Sequence, residues 1–186
     1  IIDELTKDID RFHLFGHSLG GVIATRYAEE RQEKLKSLVI SAPALSVKVD
    51  PFTELIVKTL GKLFPSLTIN NKLDPEYLSR NKKVIEKCAN DPLMHSKISL
   101  RLGISMVENI KEAHEKAKDI KVPTLILVPT EDRYVDPNGS REFYKKLGAE
   151  DKRLEEFIGG YHELFEDEEY KDRFYELIYT WIDIHN

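Results

Sequence analysis

A single cysteine, Cys88, stands in 186 residues and leaves no partner for an internal disulfide. Packing rather than cross-links must therefore hold the chain, and this usage suits a reducing compartment such as the cytoplasm. No histidine stands in a recognisable pattern with Cys88, which reads as a small, half-buried side chain rather than a nucleophile. No apolar run reaches the roughly 18 residues that cross a bilayer, and no signal-peptide pattern opens the chain. An excess of basic charge is missing too. The 28 Lys and Arg are outweighed by 33 Asp and Glu, and the net charge of −5 gives no reason to expect nucleic acid. No His, Cys, Asp or Glu cluster has ligand spacing, so neither a metal nor another cofactor is expected. Internal repeats and low-complexity tracts are absent, and so is an initiating Met. Ile1-Ile2-Asp3-Glu4-Leu5 reads as the tail of a helix already under way, a sign of truncation or processing.

What is present is the composition of an ordinary folded domain, with 41% hydrophobic and 33% charged residues. The length fits one domain with an insertion. In the first block, residues 12–15 read as a strand, about 20–31 as a helix, and Leu38-Val39-Ile40 as a second, buried strand. In the last block the continuous apolar run at 124–128 marks a strand covered on both faces, as in a parallel sheet. A helix at about 138–147, a strand at 153–158 and a closing helix at 168–184 follow. The closing helix carries Phe174, Leu177, Ile178 and Trp181 on one face. Strands alternating with helices predict an α/β fold with a mostly parallel sheet and function at the carboxyl ends of its strands. Between the blocks the pattern turns helical. Asp50-Pro51 starts a helix whose apolar residues recur to Phe64, and a second helix is expected at about 75–89. The stretch 98–110 alternates like a strand at first and then takes helical spacing, and its length favours a helix.

The chemistry is concentrated in Gly16-His17-Ser18-Leu19-Gly20-Gly21, set between a strand and a helix. A tight Gly-x-Ser-x-Gly turn lifts a serine hydroxyl off the sheet, with Gly16 and Gly20 leaving room for the strain. Serine needs a base to take its proton. Of six histidines, His162 alone follows a core strand on a loop, after Gly159-Gly160, facing the same sheet edge as the turn. His17 is expected to point away from Ser18. An orienting acid should also follow a strand. Asp132 does so and precedes His162, giving the order Ser, Asp, His used by α/β-hydrolases; Asp136 is the alternative, and Glu131 lies on the same loop.

These residues, with Tyr77–Lys82, Asn90-Asp91-Pro92-Leu93, Val122-Pro123-Thr124, Asp132-Arg133 and Gly160–Leu164, resemble the monoacylglycerol lipase and lysophospholipase group of α/β-hydrolases. That group is sometimes placed with the serine aminopeptidases. The resemblance implies that Ser18 is the nucleophile, His162 the general base and then acid, Asp132 the orienting acid, and the Leu19 backbone N–H an oxyanion-hole donor. It implies a hydrolase core at 1–44 and 119–186, with a helical cap at 45–118 over an acyl-binding pocket. The expected activity is serine carboxylester hydrolysis of a small acyl ester of a lipid-like alcohol, with transient lipid-surface contact through the cap. An aminopeptidase or acyltransferase on the same residues is the alternative, with Glu166-Asp167-Glu168-Glu169 as an amine site. Those acids read better as the solvated start of the last helix. Two departures stand out. Pro129 replaces a glycine usual before the acid, which is expected to reshape the loop. The group also carries strands ahead of the elbow, one of whose loops supplies a second oxyanion donor. Residues 12–15 are thus expected to form an exposed apolar edge, and the chain to be the C-terminal part of a hydrolase. Without the missing N-terminal segment to complete its sheet, it would be catalytically silent or weakened.

Overall fold

The computed structural model describes residues 1–46, 59–70 and 74–186. Its strands are β1 (Phe12–His17), β2 (Leu35–Ser41), β3 (Thr68–Asn70), β4 (Lys97–Ser99), β5 (Thr124–Pro129) and β6 (Lys152–Phe157). Its helices are α1 (Ile2–Leu5), α2 (Leu19–Arg31), α3 (Lys82–Asn90), α4 (Leu100–Lys116), α5 (Pro137–Lys146) and α6 (Lys171–Ile184). Four strands form one sheet in the order β1-β2-β5-β6, parallel throughout. β3 and β4 form a separate antiparallel pair in the insertion between β2 and β5. Among the described residues no helix is long and apolar enough to cross a membrane.

Side chains alternate across a strand, and here the alternation builds two cores. Leu38 and Ile40 of β2 join Ile126 and Val128 of β5 against α2, α4 and α5, through Val22, Ala28, Ile110 and Phe143. Val39, Leu125 and Leu127 face the other way, onto Phe174 and Trp181 of α6. β5 is buried along its whole length, as a strand covered on both faces must be. β1 lies at one edge of the sheet, and Phe15 on it is 47% exposed.

The insertion departs from the sequence pattern at identifiable residues. The helix expected at 75–89 splits into a short turn, Pro75–Tyr77, and α3. Ser79 Oγ takes the Asn81 N–H (3.1 Å), and Asn81 then caps α3 by accepting from Lys83 N–H (3.1 Å). The ambiguous stretch at 98–110 proves to be both. It is a strand up to Ser99, whose hydroxyl accepts the Leu102 N–H (3.2 Å) and starts α4. Residues 59–63 are helical, while the start expected at Asp50-Pro51 lies outside the described residues. α6 begins at Lys171 rather than 168, because Asp167 builds a turn first. Its Oδ1 takes the Glu169 N–H (3.0 Å) and its carbonyl the Lys171 N–H (2.8 Å).

Pro129 is less disruptive than its missing N–H suggests. The β2–β5 register ends with Ser41 opposite Leu127, so Pro129 lies past that ladder. On the other side it still pairs with Phe157 of β6. The strand therefore runs straight into the acid-bearing loop.

α2 and α4 meet around Arg26, which bonds Glu29, Asn109 (3.2 Å) and Glu112 (2.8 Å). The Glu29 side chain is fully buried and its Oε1 has no partner. Burial pushes its carboxyl up to about 7, against the pull of Arg26. Between the ordinary value of 4.5 and about 7 the folded state keeps a proton that the unfolded chain has lost. Stability therefore falls as pH rises through this window. Glu29→Gln is expected to raise the melting temperature at pH 8 and to change it little near pH 4. An equal or lower melting temperature at pH 8 would contradict this.

Candidate active site

Ser18 is the lone residue between β1 and α2, with φ 54° and ψ −121°. A positive φ strains any side-chain-bearing residue, and three backbone hydrogen bonds hold it there. The Ser18 N–H donates to Ser41 O, and Ser18 O accepts from Gly21 and Ala44, each at 3.0 Å. A Cβ on Gly16 would fall 2.3 Å from Gly20 O, so the first glycine is required by close approach. The second is not Gly20, where a Cβ would meet nothing within 4 Å. Gly21 is the crowded position, its Cβ site lying 2.6 Å from Pro43 Cβ. Gly21→Ala is expected to cost about 1–3 kcal/mol by overpacking, whereas Gly20→Ala stays within about 1 kcal/mol of the parent. Urea melts of the two variants compare them directly, and the reverse order would contradict the packing.

Leu19 opens α2, so its N–H has no acceptor within the helix and sits at the positive end of the helix dipole. Between α2 and α4 lies a cleft of about 290 Å³ lined by Leu19, Val22, Ile23 and Arg26 on one side and by Leu102, Ser105, Met106 and Asn109 on the other.

Asp132 and His162 come together although they lie on separate loops, after β5 and β6. His162 Nδ1 is 2.7 Å from Asp132 Oδ2, and both side chains are buried. Asp132 Oδ1 is already engaged by the N–H groups of Tyr134 (2.8 Å) and Val135 (3.0 Å). The carboxylate accepts, so the imidazole donates from Nδ1, which leaves the Nε2 lone pair free to take a proton. The two loops are stitched together as well. Thr130 N–H donates to Phe157 O (3.0 Å), Glu131 N–H to Gly160 O (3.1 Å) and Gly159 N–H to Thr130 Oγ1 (2.8 Å). Asp136 is engaged elsewhere, capping α5 by accepting the Asn138 N–H at 3.0 Å.

Ser18 joins the pair through its neighbour. The His17 ring packs on the His162 ring, centroids 4.7 Å apart, and Tyr134 lies against His162 at 5.1 Å. His17, expected to point away from Ser18, thus lies beside the base. Burial first, and the charge of His162 second, lower the His17 pKa to about 4. At neutral pH it is an uncharged neighbour that does not oppose an imidazolium at His162. No hydrogen bond joins Ser18 Oγ to His162 Nε2 in this structure; such bonds are often long before substrate binds. The other four histidines are bonded to other groups, His13 to Ser37, His95 to the Lys97 N–H, His114 to Leu45 O and His185 to Asp151. Tyr134 and His17 carry no sequence signal as site residues, since only the fold brings their rings to His162.

A serine on a sharp strand-to-helix turn, at the carboxyl edge of a parallel sheet, is the mark of the α/β-hydrolases, and the chain is of that class. Within it, the family model described as serine aminopeptidase, S33, matches residues 2–169, and the chain belongs to this family. It is 30% identical over 184 residues to phospholipase YtpA of Bacillus subtilis, covering 93% of this chain and 71% of that protein. To the monoacylglycerol lipase of Mycolicibacterium smegmatis it is 29% identical over 161 residues, covering 85% of this chain and 57% of the relative. The crystal structure of Paleococcus ferrophilus monoacylglycerol lipase superposes with a TM-score of 0.93 at 41% identity. That match covers 100% of this chain and 73% of the other.

Proposed function

We propose that the protein is a serine carboxylester hydrolase acting on acyl esters of lipid-like alcohols, monoacylglycerols or lysophospholipids, through an acyl-enzyme. The observation that carries this reading is the buried 2.7 Å bond between His162 Nδ1 and Asp132 Oδ2, at the sheet edge that bears the strained Ser18. In this mechanism His162 Nε2 takes the Ser18 proton and the alkoxide attacks the acyl carbon. The Leu19 N–H donates to the oxyanion. His162 then gives the proton to the departing alcohol, and water activated by the same histidine releases the acid. Asp132 holds the tautomer and stabilises the imidazolium.

The cleft that Leu19 lines is mainly apolar, with Arg26, Ser105 and Asn109 as its polar members, which suits an acyl chain. In this reading residues 45–118 are the cap, flanked by core segments 1–44 and 119–186. Leu63, Phe64, Leu67 and Ile69 in it are 68%, 58%, 50% and 47% exposed. Such a patch suits transient contact with a lipid surface. The names of the relatives, a phospholipase and monoacylglycerol lipases, point the same way. Three of the four acids that an amine site would draw on are placed otherwise. Glu168 pairs with Lys171, Glu169 with Arg80, and Asp167 is buried in its turn rather than solvated.

Comparing p-nitrophenyl acyl esters with aminoacyl and peptide p-nitroanilides tests the reading. Turnover of short- and medium-chain esters with none of the anilides is expected. A preference for the anilides would overturn it in favour of a peptidase.

A further inference from the structure

The loop that carries His162 is anchored from more than the core. Tyr170 Oη donates to Ile158 O at 2.7 Å, and Thr130 and Glu131 hold Gly159 and Gly160. Two further bonds come from the insertion. The Glu163 N–H donates to Leu78 O (2.8 Å), and Arg80 Nη2 donates to Gly159 O. The Arg80 guanidinium lies 5.1 Å from the Tyr161 ring centre and 5.9 Å from that of Tyr170. Its Nη1 reaches Glu169 Oε2 at 3.3 Å. Gly159 has φ 83°, and a Cβ there would meet Arg80 Nη2 at 2.9 Å, so the arginine is packed directly onto the loop backbone. The same segment grips the acid loop, through Arg133 Nη1 to Tyr77 Oη (3.0 Å) and Tyr134 Oη to Asp74 O (2.6 Å).

We infer that Arg80 is a positioning residue for His162, acting from the insertion through the Gly159 carbonyl. Two consecutive glycines, 159 and 160, give the loop backbone freedom just where the imidazole must keep Nδ1 on Asp132 and Nε2 toward Ser18. Arg80 restricts that freedom at the Gly159 carbonyl, which the core bonds leave to it. Its planar fork bonds the carbonyl while its faces rest near two tyrosine rings, a combination that a lysine ammonium cannot reproduce. Arg80 touches neither Ser18, Asp132 nor His162, and its side chain is 39% exposed. Its loss should therefore misplace the imidazole without unfolding the protein. The turnover part of this inference rests on the proposed ester hydrolysis; the placement of the imidazole does not.

Two readouts on the protein test it. In Arg80→Ala, kcat for a p-nitrophenyl ester is expected to fall about 10- to 100-fold with KM within about twofold, the scale of an ångström-sized misplacement. The His162 Hδ1 proton resonance, expected sharp and downfield in the parent through its bond to Asp132, should broaden or vanish in the variant. Arg80→Lys should restore less than half of the lost kcat. Parent-like kcat together with a sharp Hδ1 resonance in Arg80→Ala would overturn the inference. Should Arg80→Ala fail to fold, Arg80→Lys decides. A reduced kcat at a parent-like melting temperature supports the inference, and a parent kcat overturns it. If the parent protein turns over no ester, kcat cannot be compared, and the Hδ1 resonance alone decides the role of Arg80.

Discussion

Replacing Ser18 by alanine is expected to lower kcat for ester hydrolysis by about 10⁶-fold with little change in KM, the size of effect seen when a serine hydrolase loses its nucleophile. The reason is local. Ser18 is held at φ 54° by bonds to Ser41, Gly21 and Ala44, all of them backbone to backbone. Removing the hydroxyl therefore leaves the turn, Leu19 and the cleft as they are. Substrate still binds, but no alkoxide forms. Steady-state kinetics with a p-nitrophenyl ester measure the drop, and undiminished turnover would remove Ser18 from the mechanism.

Asp132→Asn should cost about 10⁴ in kcat, and the structure says how. Oδ1 of Asp132 accepts two backbone N–H groups, from Tyr134 and Val135. An asparagine must keep its carbonyl oxygen there, which turns its NH₂ toward His162 Nδ1. Two donors would then meet at the position where 2.7 Å now separates acceptor from donor. The imidazole escapes by moving its proton to Nε2, the tautomer that cannot take a proton from Ser18. Fold and KM should change far less than kcat, because the loop retains both backbone bonds. Activity within about tenfold of the parent would show that the acid does not set the tautomer.

The parts of this molecule that depend on local pattern are legible in the amino-acid sequence. Three of the core strands, β1, β2 and β5, follow from apolar runs and the faces of α6 from residue spacing. Asp132 and His162 stand out because function in a parallel sheet gathers at one edge, so loop position substitutes for distance. What is not legible depends on groups far apart in the chain. The motif points to Gly20 as the second elbow glycine, but the crowding falls on Gly21 and comes from Pro43, beyond β2. The alternation through Ile98 and Leu100 hides a strand-to-helix switch that only the Ser99 cap reveals. The contact of His17 with His162 is not legible, because strand alternation describes directions relative to the sheet. It does not describe where a later loop will bring a ring 4.7 Å away. The start of α6 falls later than the pattern predicts because Asp167, one of four consecutive acids, is buried as a turn residue rather than solvated.

The central claim is that Ser18 becomes a nucleophile because His162, oriented by Asp132, accepts its proton. Fluorophosphonate labelling followed by peptide mass spectrometry tests this most directly, since the reagent reacts with activated serines. One adduct on Ser18 is predicted, absent from Ser18→Ala and strongly slowed in His162→Ala. An unlabelled Ser18, or an adduct that forms equally fast without His162, would contradict it.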